Sequence, residues 1–272
     1  MADRLAASTN SYHTYSLDEA AAGIAAAGFR SIEITSVPGW TEHLRRGASE
    51  TEIQRAKDLL ARHGLTPISL SGHSDLVSDE GMDAFRQALD LCRALGITMI
   101  TTSTGGHADT SGGSLDQQRD AFLERIRPLA DEAAADGITV CLETHGGLLA
   151  TGAIAADLVR QIGKPNVGIN YDPGNVIFYG DTRPEADIAS ALDLIKHLHI
   201  KDQIGGAGVW NFPQIGTGEV DYPPIFAALD GAGFAGPCSV ELEFQGEPWP
   251  SLDAVNQAMA ASYRYVRQFV PA

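Results

Sequence analysis

Four segments of this 272-residue chain carry ionisable side chains in alternation with apolar ones. Leu142-Glu143-Thr144-His145 spaces Glu143 and His145 two apart, and His197-Leu198-His199-Ile200-Lys201-Asp202 repeats that spacing through His197, His199 and Lys201. Val240-Glu241-Leu242-Glu243 does the same with its glutamates, and Asn170-Tyr171-Asp172-Pro173-Gly174-Asn175 contributes Asp172. Residues two apart on a β-strand share a face. Turning these charges toward a helix layer buries them unpaired, so the opposite, axial direction is expected. On neighbouring strands Glu143, Asp172, His199 and Glu241 then converge. At an effective dielectric of ~20, two carboxylates about 4 Å apart repel by roughly 4 kcal/mol. Proton sharing or a bound divalent cation relieves this, the imidazole serving as one more donor. Several oxygens, one nitrogen and no thiolate suit Mn²⁺ first, then Mg²⁺ or Co²⁺, with Zn²⁺ also admissible. Unconnected strand-end ion pairs are the alternative.

The elements that must position these groups follow from a repeat. Amphipathic Ala/Leu-rich stretches end at Gly28, Gly64, Gly96, Gly137, Gly163 and Gly233, each followed by an apolar run. Such glycines suit the left-handed position that ends a helix. The spacings are 36, 32, 41, 26 and 70, the last reading as two units of βα length. Strands are predicted at 5–10, 31–37, 66–71, 98–103, 138–144, 166–171, 195–201 and 238–244. Helices are predicted at 17–28, 50–63, 80–95, 115–136, 152–162, 184–194, 222–232 and 251–268, with Ser16, Ser114 and Ser251 as N-caps. Eight of each predict an α/β fold, a (β/α)8 TIM barrel occupying residues 1–272 as one domain. An open doubly wound sheet is the competing arrangement.

Composition narrows the function. A net charge of −16 disfavours nucleic acid, which needs a cationic surface. No segment approaches the roughly 20 apolar residues of a membrane span. The start, Met1-Ala2-Asp3-Arg4, lacks a charged-then-apolar leader, and Cys92, Cys141 and Cys238 are widely spaced within or beside apolar runs. A cytoplasmic protein with reduced core thiols is expected.

On five motifs the chain resembles the xylose-isomerase-like TIM-barrel superfamily, specifically its sugar-phosphate isomerase/epimerase proteins. These are Leu142-Glu143-Thr144-His145, Asp172-Pro173-Gly174-Asn175, His197-Leu198-His199-Ile200-Lys201-Asp202, Gly216-Thr217-Gly218-Glu219-Val220-Asp221-Tyr222 and Ser239-Val240-Glu241. The resemblance implies a divalent metal on Glu143, Asp172, His199 and Glu241. By the same likeness, Glu143 and Glu241 are the acid/base pair on opposite faces of the substrate. A metal chelating a carbonyl and its neighbouring hydroxyl stabilises the enediolate, one carboxylate takes the proton, and the other returns it. Ketose epimerases carry an arginine a few residues past the strand-seven histidine. Lys201-Asp202-Gln203-Ile204-Gly205-Gly206 has none. That weighs against 3-epimerisation of a free ketose and leaves Lys201 a substrate-holding or electrophilic role.

His73 and His145 are expected to touch either substrate or the ligating side chains, Glu33 to bind substrate or pair with a neighbour, and Asn175 to orient a substrate hydroxyl or shape a turn. Trp40, Trp210 and Trp249 fall in βα loops, where they wall off water and pack on substrate or only on one another. His107 reads as a loop residue, His197 as a satisfied core histidine, and Glu243 as an alternative to Glu241. The long loop 203–222 suggests a lid or an oligomer contact, possible homo-oligomers included. The loops after strands seven and eight contain no Arg or Lys, so an unphosphorylated carbohydrate is preferred, although Arg45 and Arg46 are candidates to reach in. The leading expectation is a metal-dependent isomerase or epimerase. A lyase on the same scaffold, of inosose-dehydratase or keto-glycoside type, is the runner-up.

Overall fold

The computed structural model describes residues 3–105 and 114–271. His107 lies outside the described residues. The strands are β1 (Leu5–Ser8), β2 (Ser31–Thr35), β3 (Thr66–Ser71), β4 (Met99–Thr102), β5 (Thr139–Glu143), β6 (Val167–Tyr171), β7 (Ile195–Ile200) and β8 (Cys238–Val240). They pair in parallel and in chain order, and β8 returns to β1 with Leu5 opposite Cys238. The closed ring is a (β/α)8 barrel, and the open doubly wound sheet is excluded. Its outer layer comprises α1 (Leu17–Ala27), α2 (Glu50–Arg62), α3 (Asp79–Leu95), α4 (Leu115–Ala135), α5 (Gly152–Ile162), α6 (Pro173–Gly180), α7 (Pro184–Asp187), α8 (Tyr222–Gly231) and α9 (Leu252–Val266). Among the described residues no helix is long and apolar enough to cross a membrane.

Local chemistry explains the element ends. Ser16 and Ser114 form capping boxes with Glu19 and Gln117, and Ser251 caps the Ala254 amide. All six repeat glycines have positive φ, between 66° and 113°. Alternation then sorts the strands. Ile32, Ile34, Leu142, Leu198, Ile200 and Val240 belong to the apolar core. Glu33, Ser69, His197, His199 and Ser239 are fully buried and bond to one another across the barrel interior. The three cysteines are free and buried, and burial pushes each thiol up to about 12.

The sixth unit departs from expectation. A helix predicted at 184–194 is only the short α7 followed by a 3-10 turn at Ile188–Ser190. An unforeseen helix, α6, starts directly after β6. Asp172 is its N-cap, accepting from the Asn175 amide, and Pro173 occupies its first turn, where a missing N–H costs nothing. Pro173-Gly174-Asn175, for which a turn was the alternative reading, is therefore a helix start. Strand lengths also shrink at the site: β1 passes into a 3-10 turn at Thr9–Tyr12, and β8 stops at Val240.

Candidate metal centre and cavity

The C-terminal ends of β5, β6, β7 and β8 bring Glu143, Asp172, His199 and Glu241 together. One ligating atom from each lies within 4.8 Å of the other three, and all four residues are buried. His199 is the pivot. Its Nε2 bonds Glu33 Oε1 at 2.8 Å from below. Its Nδ1 faces Glu143 Oε2 at 3.1 Å, Glu241 Oε2 at 3.4 Å and Asp172 Oδ2 at 3.9 Å. Nδ1 and Asp172 Oδ2 are both buried without a hydrogen-bond partner. A histidine that gives one ring N–H to a carboxylate and turns its other nitrogen on converging oxygens has the form of a metal ligand with its orienting partner. The donor set fits an oxygen-preferring divalent cation.

Burial and neighbouring charges move these groups in different directions. Burial opposes charge on His199, but Glu33, then Glu241 and Glu143, hold its pKa well above the usual imidazole range. Burial works against ionised Glu143 too, yet His199 and His73 take it well below the ordinary carboxylate range. Asp172 goes the other way: burial lifts it to about 8, against the pull of Lys201 and with Glu143 adding to the rise. Glu33, despite burial, is drawn down to about 2 by His199. Below, His197 is pushed down to about 4 by burial, and its nitrogens bond Asn170 Oδ1 at 2.8 Å and Ser239 Oγ at 3.3 Å. It is the satisfied interior histidine expected.

A neighbouring web holds the carboxylates in place. Asn175 Nδ2 donates to Glu143 Oε1 at 2.9 Å, and Asn170 Nδ2 to Glu143 Oε2 at 3.0 Å. Lys201 Nζ sits 2.8 Å from Glu241 Oε2, 2.8 Å from Glu243 Oε2 and 3.5 Å from Asp172 Oδ2. Asn10 Nδ2 reaches Glu241 Oε1 at 3.1 Å and Glu243 Oε1 at 2.8 Å. Both strand-eight glutamates thus join the site, Glu241 in the donor set and Glu243 as the partner of Lys201.

Above the centre is a cavity of about 420 Å³. Glu143, Glu241, Glu243, Lys201, Asn175, His73 and His145 form its polar side, and Val37, Trp40, Tyr179 and Trp210 its aromatic and apolar side. His73 Nε2 lies 3.3 Å from Glu143 Oε2. His145 Nε2 lies 3.1 Å from the Tyr179 hydroxyl. Glu33 and Trp249 follow the second reading given for each, a neighbour's partner and a loop-on-loop contact. Glu33 is beneath His199, and Trp249 is packed on Trp40 with Nε1 donating to the Ser11 carbonyl. Neither lines the cavity. Arg46 does not reach in either: its guanidinium is buried between loops, donating to Ser36 O, Ser74 Oγ and His73 O. Arg45 pairs with Glu52 at the surface.

The loop after β7 is fastened. Asp202 accepts backbone N–H bonds from Gln203, Gly216, Gly218 and Val220 at 2.8–3.1 Å. A Cβ at Gly218 would stand 2.2 Å from Asp202 Oδ1, so the glycine is needed for this approach. The loop carries Trp210 to the cavity on an anchored base, which is not the build of a free flap.

Asn10, Asn170 and Tyr179 were missed in the sequence. Asn170 was recoverable as the polar residue that interrupts the apolar run of the predicted strand 166–171. Tyr179 is one helical turn past Asn175, a relation that exists only once α6 is known. If His199 ligates a cation such as Mn²⁺, Glu33→Gln is expected to weaken its binding by about 10–100-fold, because the second partner of a ligating imidazole sets its orientation and basicity. Calorimetric titration measures it, and an unchanged affinity would detach Glu33 from the centre.

Comparison with known proteins places this geometry in context. A family profile described as xylose isomerase-like TIM barrel matches residues 21–265. An inosose dehydratase of Geobacillus thermodenitrificans is 26% identical over 218 residues, 69% of this chain and 72% of its own. A ketose 3-epimerase of Arthrobacter globiformis is 27% identical over 211 residues, 70% of this chain and 68% of its own. The crystal structure of a D-psicose 3-epimerase in the presence of D-fructose superposes with a TM-score of 0.79 at 19% identity, covering 98% of this chain and 99% of the other. That last likeness is one of fold.

Proposed function

The chain belongs to the xylose isomerase-like TIM barrel family, and we propose that it is a divalent-metal-dependent isomerase or epimerase of a small, unphosphorylated polyhydroxy carbonyl compound. One observation carries the reading: His199 Nδ1, oriented by Glu33, faces three carboxylates, two of which also line the cavity. Glu143, Asp172, His199 and Glu241 would hold the cation, which when bound polarises a substrate carbonyl and acidifies the adjacent C–H. Mn²⁺ is the first choice for this oxygen-rich set.

The remaining chemistry belongs to the chain. Glu143 and Glu241 both line the cavity, and the family resemblance assigns one to take the substrate proton and the other to return it on the far side. Asn175 and Asn170 keep both Glu143 oxygens aimed, and His73 stands at the same carboxylate to stabilise its charge. Trp40, Trp210 and Tyr179 line the cavity and would shield a carbanionic species from water on that side. Lys201 is the one Lys or Arg among the described residues lining the cavity, and three carboxylates already surround it. A phosphate would meet net negative charge there. A neutral sugar or cyclitol ketone suits the site. Three buried free thiols accord with a reducing, cytoplasmic setting.

A lyase is the second reading, favoured by the inosose dehydratase relative and by the Tyr179–His145 pair at the cavity wall, which can protonate a departing hydroxyl. Keto sugars and inososes incubated with the protein and Mn²⁺, followed by mass and NMR, separate the two: isomerisation conserves mass and dehydration loses one water. Chelation with EDTA is expected to abolish turnover without unfolding, and added Mn²⁺ to restore it. Turnover indifferent to the chelator would overturn the proposal.

A further inference from the structure

Asn10 lies in the 3-10 turn after β1 and is 5% exposed. Its side chain spends every hydrogen bond an amide has. Oδ1 accepts from Trp40 Nε1 at 2.9 Å and from Thr41 Oγ1 at 2.7 Å. Nδ2 donates to Glu241 Oε1 at 3.1 Å and to Glu243 Oε1 at 2.8 Å. A flipped amide would set N–H against the indole N–H and oxygen against two carboxylates. Only one orientation is allowed. The turn beneath is held as well, Thr9 Oγ1 accepting from the Thr35 amide and Ser11 Oγ from the Leu242 amide, each at 2.8 Å.

Two consequences meet at this amide. With Oε1 of Glu241 taken by Asn10, Oε2 is left to face His199 at 3.4 Å and Lys201 at 2.8 Å. Trp40, 37% exposed at the cavity wall and stacked on His13 with ring centroids 4.1 Å apart, hangs by its indole N–H from the same side chain. We propose that Asn10 is a positioning residue that ties the aromatic wall of the cavity to the direction of the Glu241 carboxylate. Seating of substrate against Trp40 then bears on the carboxylate that handles the proton. The inference rests on the reading of Glu241 as a ligand and acid/base group.

The test combines Mn²⁺ calorimetry with indole NMR. Asn10→Ala is expected to weaken Mn²⁺ binding about tenfold, as loss of an outer partner of a ligand does. Asn10→Asp, the same size but with acceptors where Glu241 and Glu243 need donors, should weaken it further. A role in packing alone predicts the reverse order, and that order overturns the proposal. Trp40→Phe should weaken binding roughly threefold in the native background and not at all in Asn10→Ala, because residues joined through one partner are not additive. Additive effects overturn the link. A second arm needs neither metal nor an Asn10 variant: the Trp40 Nε1–H resonance, assigned with Trp40→Phe, should move in Glu241→Gln. If the native chain binds no Mn²⁺, the metal reading fails by itself and this resonance alone decides the coupling. A shift upholds it, and an unmoved resonance overturns it.

Discussion

Glutamine in place of Glu143 or Glu241 is expected to lower turnover by about 10³-fold or more, since each position is assigned both acid/base work and a bond to the cation. The hydrogen bonds make the expectation specific. Both oxygens of Glu143 accept, from Asn175 and Asn170, and both oxygens of Glu241 face donors, Asn10 and Lys201. A glutamine has one acceptor oxygen, so its NH₂ must confront a donor in either case. One mismatched buried contact costs about 1–3 kcal/mol, which a barrel of this size survives. The measurement is kcat with saturating Mn²⁺ beside a melting curve by circular dichroism. Folded variants within tenfold of the native rate would remove the two-carboxylate mechanism, whatever the substrate.

Lys201→Met carries the second large effect, and it falls first on stability. Burial opposes charge on Lys201, but Glu241, then Glu243 and Asp172, hold its pKa well above the ordinary lysine value. The ammonium therefore stays charged at neutral pH and compensates carboxylates that are all but sealed from water. Removing one member of such a buried set costs about 3–5 kcal/mol, because the charges left behind lose their counter-ion. At roughly 2–4 °C per kcal/mol, the metal-free protein should melt about 10 °C lower. Turnover should fall as well, since Glu241 Oε2 loses its 2.8 Å partner. Mn²⁺ should recover part of the lost melting temperature by supplying positive charge to the same carboxylates. A variant with native stability and native turnover would assign Lys201 no role.

Much of this site was legible along the chain. Glu143, His199, Lys201, Glu241 and Glu243 alternate with Leu142, Ile200, Val240 and Leu242, and the structure brings all five charged residues to the centre or its cavity. Alternation failed where the backbone ceases to be a strand. Asp172 and Asn175 act from the N-cap and the first turn of α6, and the Asp-Pro pair at its start reads equally well as a turn. Glu33 was placed on the axial face with substrate and a neighbouring side chain as equal candidates, because period two tells inside from outside and says nothing of height along the barrel. Trp249 illustrates the same limit: its loop was right, and only the tertiary structure packs it on Trp40 and leaves it off the cavity lining.

What the sequence determined by itself is local: the glycine-punctuated helices, the short strands, the side of each strand that carries charge, and hence a ring with acidic residues and a histidine at one end. Tertiary structure alone decided the partnerships. Asn10 and Glu241 lie 231 residues apart, and His199 and Glu33 lie 166 apart. They meet because β8 closes on β1 and because side chains from across the ring reach the same axial space. Periodicity is a property of a few consecutive residues, whereas a hydrogen bond across a closed barrel depends on the register and tilt of all eight strands at once.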